Sequence, residues 1–198
     1  TPIDREVAEE MRPYLETYFG NPSSTHREGL KAKMAVEKAR SRLADLLNCS
    51  SDEIILTSGG TESNNFAIKG VAFANRHKGK HIITSAIENP AVSEVCRYLE
   101  KEGFEITRLP VNEQGVVNPD RLKKAIRPDT ILVSIMHANN ELGSIQPIAR
   151  LTEIAHRHGI TFHSDGAQST GKISTDMQEL GVDLFSIAGH KLYAPKGI

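Results

Sequence analysis

Six short apolar runs, rich in β-branched residues, alternate along this chain with longer segments of helical periodicity. The runs are EIILTS (53–58), HIITSA (81–86), EITRLP (105–110), TILVSIM (130–136), ITFHSD (160–165) and DLFSIA (183–188). The periodic segments between them cover 29–47, 62–78, 90–102, 120–126 and 148–158. Strands that alternate with helices form parallel sheets through helical crossovers. The pattern therefore predicts an α/β fold, with a mostly parallel open sheet flanked by helices.

Charge, hydropathy and cysteine content argue against several classes of protein. Lys plus Arg number 24 and Asp plus Glu number 25, so no excess of positive charge indicates a nucleic-acid partner. No apolar run approaches the roughly 20 residues of a membrane-spanning helix. Cys49 and Cys96 lack the spacing of a disulfide framework or a zinc site, which indicates a reducing compartment. We expect a cytoplasmic protein, or an organellar one if a leader has been removed, because TPIDREVAEEM is no signal peptide.

Polar residues follow the predicted strands, where ligands of open α/β sheets bind. In TSGGTESNN, Gly60 permits a tight turn and Thr61 begins the next helix. Free backbone N–H groups and the helix dipole at such a position would suit a phosphate. An ordinary glycine turn with a threonine N-cap explains the same residues.

A carboxylate and an amide follow the fifth run. Asp165 ends a run that should be buried, and Gln168 comes three residues later. A protonated ring nitrogen of a ligand would pair with this carboxylate, although a turn-capping Asp is the alternative. His163 and Asp165 would also fit a metal site, but no third potential ligand lies at a sequence spacing typical of one.

Asparagines follow two other runs. Asn139 and Asn140 come after TILVSIM, and Asn89 precedes Pro90, which starts a helix. The amides of Asn139 and Asn140 would hydrogen-bond a ligand oxygen, and Asn89 would approach the face of a ligand. Turn formation and helix initiation explain these asparagines equally well.

Lys191 follows the last run and a glycine in DLFSIAGHK, rather than lying on a charged helix face. A partly desolvated lysine has a neutral amine that can form a Schiff base with an aldehyde, whereas a solvated surface charge is the ordinary alternative. A phosphate cradle, an acid for a ring nitrogen, amides and an amine thus coincide at strand ends. Together they indicate pyridoxal 5'-phosphate.

Four motifs carry a resemblance to a known family: TSGGTESNN, HANNELG, HSDGAQS and AGHKLYAPKGI. In order and spacing they resemble the cysteine desulfurases of the NifS/IscS type, in the class V aminotransferase branch of fold-type I pyridoxal-phosphate enzymes. The resemblance covers practically the whole chain and implies that residues 1–198 are the large cofactor-binding domain. It also implies L-cysteine as substrate, with L-alanine and an enzyme persulfide as products. Further implications are a homodimer and transfer of sulfur to iron-sulfur cluster scaffolds or tRNA-thiolation proteins.

The resemblance also implies roles for single residues. Lys191 would bond to the cofactor aldehyde and then remove the substrate α-proton, Asp165 would pair with the ring nitrogen, and Gln168 would hold the ring hydroxyl. The remaining positions would bind the phosphate (Gly60, Thr61 and His190) or lie beside cofactor and substrate (Asn89 and Asn140). No metal is implied.

This sequence departs from the family at two positions. The family usually has a histidine where this chain has Asn89, and many members have a serine at Ala188. The resemblance places the catalytic Cys loop, the carboxylate-binding Arg and a small C-terminal domain outside residues 1–198, so we expect these residues alone to be inactive. Neither Cys49 nor Cys96 matches that loop, so both are predicted to be structural. A selenocysteine lyase or a class V aminotransferase would share the same site. A non-catalytic, partner-binding protein is a further alternative, against which Lys191 and Asp165 argue.

Overall fold

Five parallel strands form one sheet in the order β2-β1-β3-β4-β5. The computed structural model describes all 198 residues. The strands are β1 (His81–Ser85), β2 (Glu105–Leu109), β3 (Thr130–Ser134), β4 (Thr161–Asp165) and β5 (Leu184–Ser186). Each strand coincides with one of the six predicted runs, and the predicted α/β class with a parallel open sheet is confirmed.

Seven α-helices accompany the sheet. They are α1 (Arg5–Glu16), α2 (Arg27–Leu47), α3 (Gly60–Ala74), α4 (Pro90–Lys101), α5 (Pro119–Ala125), α6 (Ile148–His156) and α7 (Met177–Leu180). Five of them match the periodic segments of the sequence to within a few residues at each end. No helix is both long and apolar enough to span a lipid bilayer.

Both faces of the sheet are covered at its centre, because side chains of β1 and β3 enter two different clusters, one on each face. Ile82 and Leu132 pack on one face with residues of α3 and α4, including Ile68 and Leu99. The opposite face carries a second cluster that combines strand residues with α5 and α6: Ile83, Val133, Phe162, Leu122, Ile148 and Leu151. Burial on both faces explains why the strands read as nearly continuous apolar runs.

One predicted strand is wrong. The run at 53–58 forms the end of a 3-10 helix (Ser51–Glu53) and an irregular segment, although its composition equals that of the true strands. A strand requires a neighbour for its backbone N–H and C=O groups, and β5 pairs only with β4 at this side of the sheet. Ile55 is accordingly 65% exposed.

The strand order creates a crevice between β1 and β3. From β1 the chain crosses to β2 on one side and then returns to place β3 on the other side. Loops that leave the carboxyl ends of two such strands diverge, and ligands of open α/β sheets bind in the gap between them. The turns after Ser85 and after Ser134 flank this gap.

Candidate active site

A cleft of about 540 Å³ opens at the carboxyl ends of the strands. Asn139, predicted with Asn140 to bind a ligand, does not line it, whereas all eight residues to which the resemblance assigns a role do: Gly60, Thr61, Asn89, Asn140, Asp165, Gln168, His190 and Lys191. The strand-end positions therefore converge in space although they are widely separated along the chain. Asn64 and Lys196 also line the cleft, and sequence reasoning did not identify them.

The start of α3 forms one end of the cleft. Gly59 has φ of 134°, which favours glycine, and α3 begins at Gly60 with no side chain capping it. The first N–H groups of an α-helix lack intrahelical acceptors, so this uncapped start can bind an anion. A Cβ atom on Gly60 would lie 3.2 Å from the Cβ of Ala188, which shows how closely the helix start approaches the end of β5.

Asp165 is the last residue of β4 and is only 5% exposed. Its Oδ2 accepts a hydrogen bond from Asn64 Nδ2 at 2.9 Å, and its Oδ1 accepts one from the Ala167 N–H at 2.9 Å. Burial raises the pKa of Asp165, and the two hydrogen bonds partly offset this effect. A cation beside this carboxylate would compensate the cost of burying its charge.

Asn64 is a buried helix residue that orients Asp165. Its Nδ2 donates to the carboxylate, while its Oδ1 is buried without a hydrogen-bond partner within the chain. Asn64 lies one helical turn after Gly60, so the face of α3 that contacts Asp165 is the face that begins at the uncapped helix start. An asparagine inside a helix carries no local sequence signal for such a role.

The two adjacent asparagines after β3 have different roles. Asn139 is buried, donates from Nδ2 to the Ile87 carbonyl at 2.9 Å, and accepts from the N–H groups of Glu141 and Leu142. It therefore joins the two turns that flank the crevice. Asn140 is exposed and lines the cleft.

Asn89 caps helix α4 and also lines the cleft. Its Oδ1 accepts a hydrogen bond from the Ala91 N–H at 3.0 Å, and Pro90 occupies the first helical position. The helix-start interpretation is thus correct for this residue. Its capping role leaves the amide nitrogen as the donor that is available to a ligand.

Lys191 ends a 3-10 helix (Gly189–Lys191) that directly follows β5. The residue is half-buried in the cleft and takes part in none of the ion pairs of the chain. A lysine without an acidic partner is suited to act as a nucleophile or base rather than as a structural charge. Lys196, a second amine at this cleft, is exposed.

His163 belongs to the framework beneath the site rather than to a metal centre. Its Nδ1 is 2.8 Å from Ser134 Oγ and its Nε2 is 3.0 Å from Ser186 Oγ, so both ring nitrogens are occupied. Ser63 of α3 donates in turn to Ser186 at 3.0 Å. Burial lowers the pKa of His163 to about 3, which keeps the ring neutral. This network fixes α3 against the central strands.

Comparison with known proteins agrees with this architecture. The family model for class-V aminotransferases matches residues 1–198. A protein from Dictyoglomus turgidum named cysteine desulfurase IscS is 59% identical over 198 residues, which is all of this chain and 50% of that protein. The chain spans about half the length of the curated relatives that it matches.

Solved structures share the fold over the whole chain. A structure described as SspA in complex with cysteine is 43% identical with a TM-score of 0.96, and this chain covers 57% of it. A NifS-like protein is 41% identical with a TM-score of 0.97, and this chain covers 55% of it. The resemblance to NifS/IscS-type proteins that the four sequence motifs predict is therefore confirmed, and the chain belongs to the class-V aminotransferase family.

Proposed function

We propose that the protein carrying this chain is a pyridoxal-phosphate-dependent cysteine desulfurase. One observation carries the proposal: an amine without an acidic partner, a buried carboxylate and an uncapped helix start line the same cleft. These groups match the aldehyde, the ring nitrogen and the phosphate of the cofactor. The choice of cysteine as substrate rests on the relatives named cysteine desulfurase.

The chain offers a group for each polar part of the cofactor. The N–H groups at Gly60 and Thr61, with His190, would hold the phosphate at the start of α3. Asp165, which Asn64 orients, would pair with the protonated ring nitrogen, and Gln168 would hydrogen-bond the ring hydroxyl. The uncapped start of α3 supports this fit, and glycine at position 60 lets that start approach the end of β5, because a Cβ there would lie 3.2 Å from the Cβ of Ala188.

Lys191 would perform both the attachment and the proton transfer. When bound, pyridoxal phosphate supplies a ring that withdraws electrons and stabilises negative charge at the substrate α-carbon. Lys191 Nζ would hold the aldehyde until substrate arrives and would then take the α-proton as a general base. Asn140 and Asn89 would orient the substrate from the two sides of the crevice.

The sulfur-accepting thiol belongs to another cysteine of the protein in this proposal. Neither Cys49 nor Cys96 lines the cleft. Cys96 is fully buried and burial raises the pKa of its thiol to about 12, while burial also raises the pKa of Cys49. A thiolate is the reactive form of cysteine, so both residues are unsuited to attack sulfur. This supports their assignment as structural.

Residues 1–198 form the large cofactor-binding domain in this proposal. The whole protein would act as a homodimer in the cytoplasm and pass sulfur to acceptor proteins of iron-sulfur cluster assembly or tRNA thiolation. The family resemblance supports these statements.

Product analysis tests the proposed activity. Full-length protein loaded with pyridoxal phosphate should release alanine and, with an added thiol reductant, sulfide in equal amounts from L-cysteine. Lys191→Ala protein in the same assay should release neither above the background of free cofactor. If the loaded protein instead converted its cofactor to the pyridoxamine form without releasing sulfide, an aminotransferase would be the correct assignment.

Asn89→His should strengthen cofactor binding. Asn89 lines the cleft where related enzymes place a histidine, and an asparagine has no aromatic face to stack on the ring. Aromatic stacking contributes on the order of 1 kcal/mol, so we expect the cofactor to dissociate about fivefold more slowly. The measurement is the loss of cofactor absorbance on dilution, with Asn89→Gln as control. Equal dissociation rates in all three proteins would contradict the prediction.

A further inference from the structure

Glu88 is a half-buried acid beside the cleft that the proposed function does not use. It lies in the turn between β1 and α4, one residue before Asn89. Its Oε1 accepts hydrogen bonds from the Ser85 hydroxyl and, at 3.0 Å, from the Met136 N–H. Its Oε2 is buried and has no hydrogen-bond partner within the chain. Glu88 thus connects the two flanks of the crevice through one oxygen only.

The hydrogen bonds of Glu88 and Asp165 are unequal. Both carboxylate oxygens of Asp165 accept a hydrogen bond, whereas one oxygen of Glu88 accepts two and the other accepts none. Hydrogen bonds from donors favour the ionised form of a carboxyl group, and a buried oxygen without a donor favours the protonated form. A proton therefore binds more readily to the Oε2 of Glu88, which has no donor, than to either oxygen of Asp165.

Electrostatics agree with this assignment. Burial raises the pKa of Glu88 to about 7, and the charge of Asp165 adds to the increase. Cys96 of α4 is the other titratable group that interacts with Glu88, and its thiol stays protonated at neutral pH. Geometry places the two acids close together, because Met136 donates its N–H to Glu88 Oε1 and the next residue, His137, donates its N–H to the Asp165 carbonyl at 2.9 Å. Two nearby acids in a low-dielectric site titrate as a pair and do not both ionise readily.

We propose that Glu88 and Asp165 form a coupled acid pair in which Glu88 holds the proton and Asp165 remains negatively charged for the ring nitrogen of the cofactor. The proposal rests on the proposed function, because it assigns a cation to Asp165. Once that cation is in place, it cancels the charge that opposes ionisation of Glu88. Glu88 then releases part of its proton to the solvent, so cofactor binding becomes tighter as the pH rises through about 7.

Infrared titration of the full-length protein without cofactor tests the pair independently of any activity. The difference spectrum of the parent protein and Glu88→Gln should show a protonated carboxyl band that disappears with a midpoint near pH 7. In an Asp165→Asn background the midpoint of the same band should fall, since the repelling charge is gone. A midpoint near the ordinary glutamate value, or one that ignores Asp165→Asn, would overturn the proposal.

Calorimetry of cofactor binding tests the consequence. Pyridoxal phosphate is titrated into each protein at pH 7 in two buffers of different ionisation enthalpy, which yields the number of protons released. The parent protein should release more protons than Glu88→Gln, by a fraction of one. Glu94→Gln, which alters an exposed glutamate of α4, should match the parent. Equal release by the parent and Glu88→Gln would refute the coupled pair.

The two experiments separate this inference from the proposed function. If no variant binds pyridoxal phosphate, the proposed function fails, and the infrared midpoints still decide whether Glu88 and Asp165 are coupled. If all variants bind the cofactor but the midpoints do not respond to Asp165→Asn, the function stands and the acid pair is wrong.

Discussion

Lys191→Ala should abolish the borohydride-reducible attachment of pyridoxal phosphate to the full-length protein. Lys191 is half-buried, free of ion pairs and lies in the same cleft as Asp165, so it is the amine suited to bond with the aldehyde. General base catalysis alone contributes about 10²–10⁴-fold, and the covalent role is lost as well. We therefore expect turnover of L-cysteine to fall at least about 10³-fold. Mass spectrometry of peptides after borohydride treatment shows which lysine carries the pyridoxyl group.

Lys196→Ala is the matched control for this prediction. Lys196 is a second lysine of the same cleft, five residues further along, but it is exposed. The modified peptide should persist in this variant with Lys191 as the labelled residue. Label on Lys196 in the parent protein, or label that survives Lys191→Ala, would show that the cleft binds the cofactor in another way.

Phe162→Ala should lower the free energy of unfolding by about 3–5 kcal/mol. Phe162 is the second residue of β4, is completely buried and packs in the cluster beneath α5 and α6. Removing the ring loses its transfer free energy and leaves a cavity that a rigid parallel sheet cannot close. Urea denaturation of the full-length protein, followed by circular dichroism, measures the change.

Phe162→Leu provides a graded comparison, because it keeps most of the apolar volume. We expect it to cost less than about 1.5 kcal/mol. Equal losses for the two variants would mean that ring shape rather than buried volume stabilises this position. An unchanged unfolding midpoint for Phe162→Ala would contradict the burial of this face of β4.

The strands and the site were predictable from sequence for the same physical reason. A parallel sheet buries both faces, so its strands are apolar throughout, and polar residues stand out where each strand ends. Asp165 and Lys191 were identifiable because they follow such runs. Their convergence requires only that parallel strands end at one edge, which the observed strand order provides.

The features that could not be predicted depend on contacts between residues that are far apart in the sequence. The run at 53–58 has a strand-like composition, but whether it becomes a strand depends on a neighbouring strand that no local pattern reveals. Asn64 bonds to Asp165, 101 residues away, and Glu88 bonds to Met136, 48 residues away. Likewise, Asn139 and Asn140 are indistinguishable until burial separates them.

The arrangement of the cleft also has a consequence for the order of events during synthesis. The uncapped start of α3 lies at Gly60, whereas Lys191 follows the last strand of the sheet. A nascent chain thus exposes the uncapped start of α3 long before the ribosome releases the lysine that would retain the proposed cofactor. Because a ligand stabilises only the state that binds it, pyridoxal phosphate would favour the finished sheet rather than any earlier intermediate. Cofactor that stays bound would then show that β5 has been synthesised and has joined the sheet.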